Sequence, residues 1–216
     1  MHQIISIVGK SKSGKTTLLE GLIAELKRRG YKVAVIKHSG EDPELDTVNK
    51  DTWRLSRAGS EISAISSEHK LAVFKQIEHD FSPQGLSYFV SWDYDLILTE
   101  GFKQSNYPKI EVHRKEQGRD MVSAPKQLLA VVTDEPLNVE VPQFSRNEVL
   151  KIADLIESMI LSRQREGNLD LLINGTYIPT DKSFQDLLER TLIPMVSGLK
   201  DSKEVNSLHI SLRRKV

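Results

Sequence analysis

One octapeptide limits this chain more than any other feature. Gly9-Lys10-Ser11-Lys12-Ser13-Gly14-Lys15-Thr16 fits the pattern G-x-x-x-x-G-K-[ST]. It follows Ile4-Ile5-Ser6-Ile7-Val8, a β-branched run of the kind a parallel sheet buries on both faces. It precedes Leu18, Leu19, Leu22, Ile23 and Leu26, which recur at helical spacing. Arg28 and Arg29 occupy the last turn of that helix, Gly30 suits its C′ position, and Tyr31–Ile36 reads as a second strand. Strand, loop, helix and strand in so short a stretch form a βαβ unit. A glycine-rich turn between buried strand and helix presents backbone N–H groups and a positive helix end to phosphate. In this arrangement Gly9, Lys10, Ser11, Lys12, Ser13 and Gly14 form the cradle, and Thr17 continues it into the helix. Lys15 reaches the β- and γ-phosphates, and the Thr16 hydroxyl is a Mg2+ ligand. Lys10 has two readings: a lysine that crosses to a neighbouring copy's site, or a solvated side chain.

Further strand-like runs lie at Ile62–Ile65, Leu71–Phe74, Tyr94–Thr99, Ile110–His113 and Leu128–Thr133. Ser145-Arg146-Asn147-Glu148 predicts a capping box opening a helix to about Leu161, or on to Glu166. These elements predict an α/β domain with a mostly parallel sheet flanked by helices over residues 1–162, then a linker at 163–168. Residues 169–216 read as a small ββαβ extension. In it, Asn174-Gly175 marks a hairpin, a helix starts near Lys182 and is kinked or ended by Pro194, and Ser207–Leu212 alternates as a strand.

Tyr94–Lys103 is an apolar strand ending in Glu100-Gly101. A carboxylate at the tip of a strand beside a phosphate loop can hold Mg2+, which makes Glu100 the Walker B candidate, whereas Asp95 starts the strand at the opposite edge. Lys37 and His38 end the second strand, at the sheet edge where α/β proteins bind ligands. Asp46 or Asp51 is a candidate switch acid near the metal; with Lys50 and Arg54 they also suit a helix start with local ion pairs. Lys109, His113 and Arg114 read either as an anion-binding surface or as the polar face of a strand. Asp134, after the strand Leu129–Thr133, is the candidate for base selection, because a carboxylate accepts from guanine N1–H and the 2-amino group. The alternative there is a turn residue.

Lysine and arginine total 30, and aspartate and glutamate also total 30. That balance argues against a protein that grips nucleic acid by bulk charge. Its distribution is uneven: residues 10–38 carry eight basic and two acidic side chains, and residues 39–100 carry five and twelve. No apolar stretch approaches the ~18 residues of a membrane span. Cysteine is absent, which removes thiolate metal sites and disulfides and suits the cytoplasm. The start Met1-His2-Gln3-Ile4 has no basic segment followed by an apolar one, so no secretory leader is expected.

Taken together, several segments resemble the MobB family of molybdopterin-guanine dinucleotide biosynthesis adaptors. They are the phosphate loop, Val35-Ile36-Lys37-His38, Asp46-Thr47, Lys50–Gly59, Leu98–Lys103 and Pro108–Arg114. The match spans about residues 1–161. It implies a P-loop GTP-binding homodimer with weak GTP hydrolysis. Such a protein assists the MobA-type guanylyltransferase that joins GMP to molybdopterin. Lys15 and Glu100 would be the hydrolytic residues. The residues' own reading is compatible with it: Thr16, Glu100 and Asp46 around Mg2+, Lys37 on a phosphate of nucleotide or pterin with His38 as a donor, and Asp134 on guanine. Two departures stand out. Ser39-Gly40-Glu41 replaces the histidines that often follow the Lys-His pair, and Val48-Asn49 replaces a frequent Pro-Gly. The competing functions are a P-loop kinase of a small metabolite and a metal-centre GTPase chaperone. The first would need an arginine-rich lid, which is not visible, and the second a richer set of metal ligands.

Overall fold

The structure, a computed structural model, describes residues 3–40, 46–77, 79–90, 94–118, 120–164, 171–173, 176–178 and 180–198. The chain divides into two compact units, His2–Ser162 and Arg163–Val216, with Met1 grouped with the latter.

The larger unit is built on a six-stranded sheet. In chain order its elements are β1 (Gln3–Gly9), α1 (Lys15–Arg28), β2 (Val33–Lys37), α2 (Asp51–Arg57), β3 (Ile62–Ser66) and β4 (Leu71–Lys75). They continue with α3 (Pro83–Val90), β5 (Leu96–Glu100), β6 (Lys109–Val112), β7 (Leu128–Val132), β8 (Gln143–Phe144) and α4 (Val149–Gln164). The sheet order is β2-β5-β1-β6-β7-β8, and every pairing within it is parallel. β1 lies between β5 and β6, so the chain leaves it toward one edge of the sheet and later returns to fill the other. That reversal puts a crevice at the C-terminal end of β1, where α/β sheets bind ligands.

Alternation along the central strands supplies two apolar faces. Ile5, Ile7, Leu96 and Leu98 point to one side and pack with Leu18, Leu22 and Leu26 of α1 and Ile152 and Ile156 of α4. Ile4, Ala34, Ile36 and Ile97 point to the other, where Leu86 and Val90 of α3 join them. Across β1 and β5, Thr99 Oγ1 donates to Ser6 Oγ at 2.9 Å, so the polar atoms of this buried pair satisfy each other. α1 and α4 are also joined by charge: Arg29 reaches Glu25, Asp154 and Glu157, and Tyr31 Oη donates to Glu157.

The 62–65 and 71–74 runs form strands as expected, and among the described residues β3 and β4 pair with each other, antiparallel, rather than with the six-stranded sheet. This hairpin exposes Ile62, Ile65, Leu71 and Val73. The predicted capping box does not start its helix at once. Arg146 and Asn147 form a turn and α4 begins at Val149, while the Glu148 carboxylate still reaches back to the Ser145 N–H at 2.8 Å. α3 and the two-residue β8 carry too little pattern to be expected from sequence.

In the smaller unit, β9 (Leu171–Ile173) and β10 (Thr176–Ile178) pair antiparallel, and α5 spans Lys182–Ser197. Asn174, Gly175 and the stretch 207–212 lie outside the described residues, as do positions 165–168 of the expected linker. α5 starts with Asp181 accepting from the Phe184 N–H at 2.8 Å, a side-chain N-cap. Pro194 does not end it, since the helix continues to Ser197. The ring falls in the last turn, where few hydrogen bonds remain for it to interrupt.

Candidate functional site

The loop Gly9–Thr16 joins the C-terminal end of β1 to the N-terminus of α1. Its glycines are required by geometry. Gly9 has φ +147° and a Cβ there would stand 2.4 Å from the Val112 carbonyl; Gly14 has φ +96°. Lys12 takes a left-handed φ of 60° without being glycine, a local strain common where a loop is shaped for a ligand. Lys15 Nζ donates to the Lys10 carbonyl at 2.8 Å, which folds the lysine over the loop. Partial burial lowers the Lys15 pKa, the Glu100 charge pulls it back up, and Lys103 and Lys37 add to the lowering. Ser11, Lys12, Thr16 and Thr17 are exposed, while Ser13 is buried.

On the β5 side, parallel register sets Lys37 opposite Glu100. Thr16 Oγ1 donates to Glu100 Oε2 at 2.9 Å, and Lys37 Nζ lies 3.6 Å from Glu100 Oε1. Hydroxyl and carboxylate oxygens at hydrogen-bonding distance are a donor set that suits Mg2+, which uses one or two protein oxygens and leaves the rest to phosphate and water. Among the described residues no group of three or more His, Cys, Asp or Glu could hold a metal. Gly101 follows with φ +103°, tight against the His38 carbonyl, and Phe102 also has positive φ, at 56°. His38 packs its ring on Phe102, with centroids 4.4 Å apart, and its Nε2 lies 2.8 Å from Asp80 Oδ2. Asp95 accepts from the Lys32 N–H at the far edge of the sheet. Asp46 accepts from Thr52 Oγ1 at 2.9 Å, against α2, and its other oxygen is buried without a partner. Asp51 opens α2, with its carboxylate 4.0 Å from Arg54.

The β6–β7 side is drier. Lys109, His113 and Arg114 are all buried, so neither reading of them as a surface or as a polar strand face holds. Lys109 Nζ donates to the Ser105 and Tyr107 carbonyls and to Gln127 Oε1, and burial lowers its pKa. His113 pairs with Glu135 at 3.1 Å. Arg114 Nε donates to the Ser13 carbonyl at 2.8 Å, and Nη1 lies 3.4 Å from Asp134 Oδ2. Asp134 Oδ1 accepts from the Lys115 N–H at 2.9 Å, and that bond, with help from Arg114, holds its pKa below the ordinary carboxylate value. The segment after Arg114 folds back on the loop: Lys10 Nζ donates to the Gln117 carbonyl, and Gln117 Nε2 donates to the Ser11 carbonyl, both at 2.6 Å. Lys10 is therefore held within its own chain. Gln117 has no motif spacing that could have announced it; only the fold brings it to residue 11.

A parallel sheet with this loop at its switch point and a threonine–carboxylate pair beside it defines a P-loop nucleotide-binding fold. Comparison with known proteins narrows the class. The family model for molybdopterin guanine dinucleotide synthesis protein B matches residues 4–134, more than half of the chain, and the chain belongs to that family, MobB. The molybdopterin-guanine dinucleotide biosynthesis adapter protein of Haemophilus influenzae is 37% identical over 161 residues, 73% of this chain and 89% of the relative. Its Escherichia coli counterpart is 32% identical, over 72% and 92%. A crystal structure of molybdopterin-guanine biosynthesis protein B superposes with TM-score 0.55 at 32% identity, covering 72% of this chain and 99% of that one. Bacillus subtilis MobB gives 0.59 at 26%, covering 72% and 96%. Among the described residues no helix is long and apolar enough to cross a membrane.

Proposed function

We propose that this protein is a GTP-binding adaptor of molybdopterin guanine dinucleotide biosynthesis. It engages a MobA-type guanylyltransferase, and molybdopterin is carried by that complex. Its GTP hydrolysis is slow. The observation that carries the reading is the loop Gly9–Thr16, with Lys15 folded over it and Thr16 bonded to Glu100, in a chain of the MobB family.

In this reading the backbone of Gly9–Thr17 holds phosphate and Lys15 neutralises it. Thr16 and Glu100 hold Mg2+, which when bound offsets charge on the β- and γ-phosphates. Asp46, with a buried oxygen free of protein partners, is the acid available to the metal's outer side. Lys37 and His38 line the neighbouring edge and suit an anionic ligand. Slow hydrolysis agrees with what is near Glu100: its two oxygens face Thr16 and Lys37, an arrangement for holding a cation rather than for activating water. The active form is a cytoplasmic homodimer. The exposed Ile62, Leu71 and Val73, which share one face of the β3–β4 hairpin, support that as a contact surface.

The test is a pull-down of purified molybdopterin guanylyltransferase by this protein with GTP, GDP or no nucleotide. Capture that depends on GTP supports the adaptor. Fast phosphoryl transfer from the nucleotide to a small-molecule acceptor would overturn it in favour of a kinase.

A further inference from the structure

The nucleotide site has two flanks, and only one of them has an obvious task. In the reading above, the Thr16–Glu100 pair would hold the metal, and with it the γ-phosphate, on the β5 side of the loop. A nucleoside triphosphate carries its base at the other end, which would then lie toward β6, β7 and β8. Three charged groups meet there. Arg114 comes from the end of β6, Asp134 from the end of β7, and Arg146 from the turn after β8. A methyl group built on Gly14 would come within 3.0 Å of Arg114 Nη2 and 3.9 Å of Arg146 Nη1.

Arg114 is 7% exposed, and its Nη2 is the one buried side-chain nitrogen among the described residues that has no hydrogen-bond partner. The other two nitrogens are used, Nε on the Ser13 carbonyl and Nη1 beside Asp134. Leaving a guanidinium N–H buried and unpaired is costly, so the side chain is held ready for an acceptor that the protein does not provide.

We propose that Arg114 is a specificity-determining residue, its Nη2 donating to O6 of guanine while Asp134 accepts from the N1–H edge of the same base. This rests on the GTP-binding reading above. The chemistry discriminates twice. Guanine offers an acceptor, O6, and beside it a donor, N1–H. Adenine offers a donor, the 6-amino group, and beside it an acceptor, N1. A guanidinium can only donate and a carboxylate can only accept, so both groups favour guanine and both oppose adenine. The Asp134 pKa, held low, keeps the carboxylate in the accepting form throughout the neutral range. Arg114 also ties the base side to the phosphate side through the Ser13 carbonyl, so a base seated on it steadies the loop that grips the phosphates.

The experiment compares GTP, ITP, ATP and 2-aminopurine riboside triphosphate by calorimetry on the full chain and on Arg114→Met. ITP keeps O6 and N1–H and lacks the 2-amino group; the 2-aminopurine nucleotide keeps the 2-amino group and lacks both O6 and N1–H. The intact chain should bind GTP first, ITP next, and the two nucleotides without O6 about tenfold to a hundredfold more weakly than GTP, the loss expected when a buried donor is left unpaired. Arg114→Met should lose affinity for GTP and ITP by about that factor and change ATP affinity little. Equal loss for all four nucleotides would overturn the proposal and make Arg114 a support for the loop. If Arg114→Met does not fold, the 2-aminopurine nucleotide decides alone: binding to the intact chain as tight as ITP overturns the role of O6. Preference of the intact chain for ATP would instead overturn the GTP reading itself.

Discussion

The two flanks of the phosphate loop are built on opposite principles. On the β5 side, Thr16 and Lys37 are exposed and meet a single carboxylate, Glu100. On the β6–β7 side, Lys109, Glu111, His113 and Arg114 are buried, each with protein partners already in place. Glu111 shows the contrast best. Its carboxylate is 2% exposed and accepts from the backbone N–H groups of Val122 and Ser123 at 2.8 and 2.9 Å. Exposed ion pairs are worth little and rearrange easily, whereas a buried charge is held by every bond it makes. The Glu100 side is thus free to exchange one partner for another, whereas the β6–β7 side is a fixed wall.

The comparison can be broken at its hinge. Lys15→Ala removes the lysine that folds over the loop onto the Lys10 carbonyl, and nucleotide affinity should fall below detection in calorimetry. The melting temperature should hardly move, because Lys15 contributes one partly exposed hydrogen bond to the fold. A variant that lost both would mean that the loop is part of the core.

Next in size is Glu111→Ala. It leaves one buried and one half-buried N–H unpaired, and a loss of about 3 kcal/mol in unfolding free energy is expected, read by urea titration. The matching change on the exposed side, Glu100→Gln, should cost less than about 1 kcal/mol of stability. It should instead abolish the enhancement of GTP affinity by Mg2+. Similar stability losses for the two variants would erase the distinction between the flanks.

The smallest effect concerns pH. Glu25, hydrogen-bonded by Arg28 and Arg29, has its pKa lowered to about 2. A carboxylate depressed on folding adds stability above its ordinary value and loses it as pH falls toward the folded value. The Glu25–Arg28–Arg29 network at the end of α1 therefore weakens between about pH 4.5 and pH 2. Glu25→Gln should flatten acid unfolding in that window and leave neutral nucleotide binding unchanged.

These contrasts also explain what the sequence disclosed. β1, the loop, α1 and the strand ending in Glu100 were readable because each is local: periodicity, glycine positions and a strand-end acid lie within about ten residues of one another. Glu100 meeting Thr16 followed from two such local signals placed on neighbouring strands. Arg114 with Ser13, and Gln117 with Ser11, join residues about a hundred positions apart. No spacing rule reaches that far, and nothing in the chain marks Lys109 as a buried lysine before a sheet forms around it. The β3–β4 strands were legible, but their sheet was not: alternation does not say which sheet a strand will join.

The seat of Gly9 has a mechanical consequence. With the Val112 carbonyl where any side chain would go, the loop is clamped at its root to the neighbouring strand. At its far end Gly14 passes directly into α1. Between these ends Lys10 and Ser11 are strapped to Gln117 and the Ser13 carbonyl to Arg114, so little of the loop moves on its own. Movement of the loop is thereby transmitted to the segment after β6.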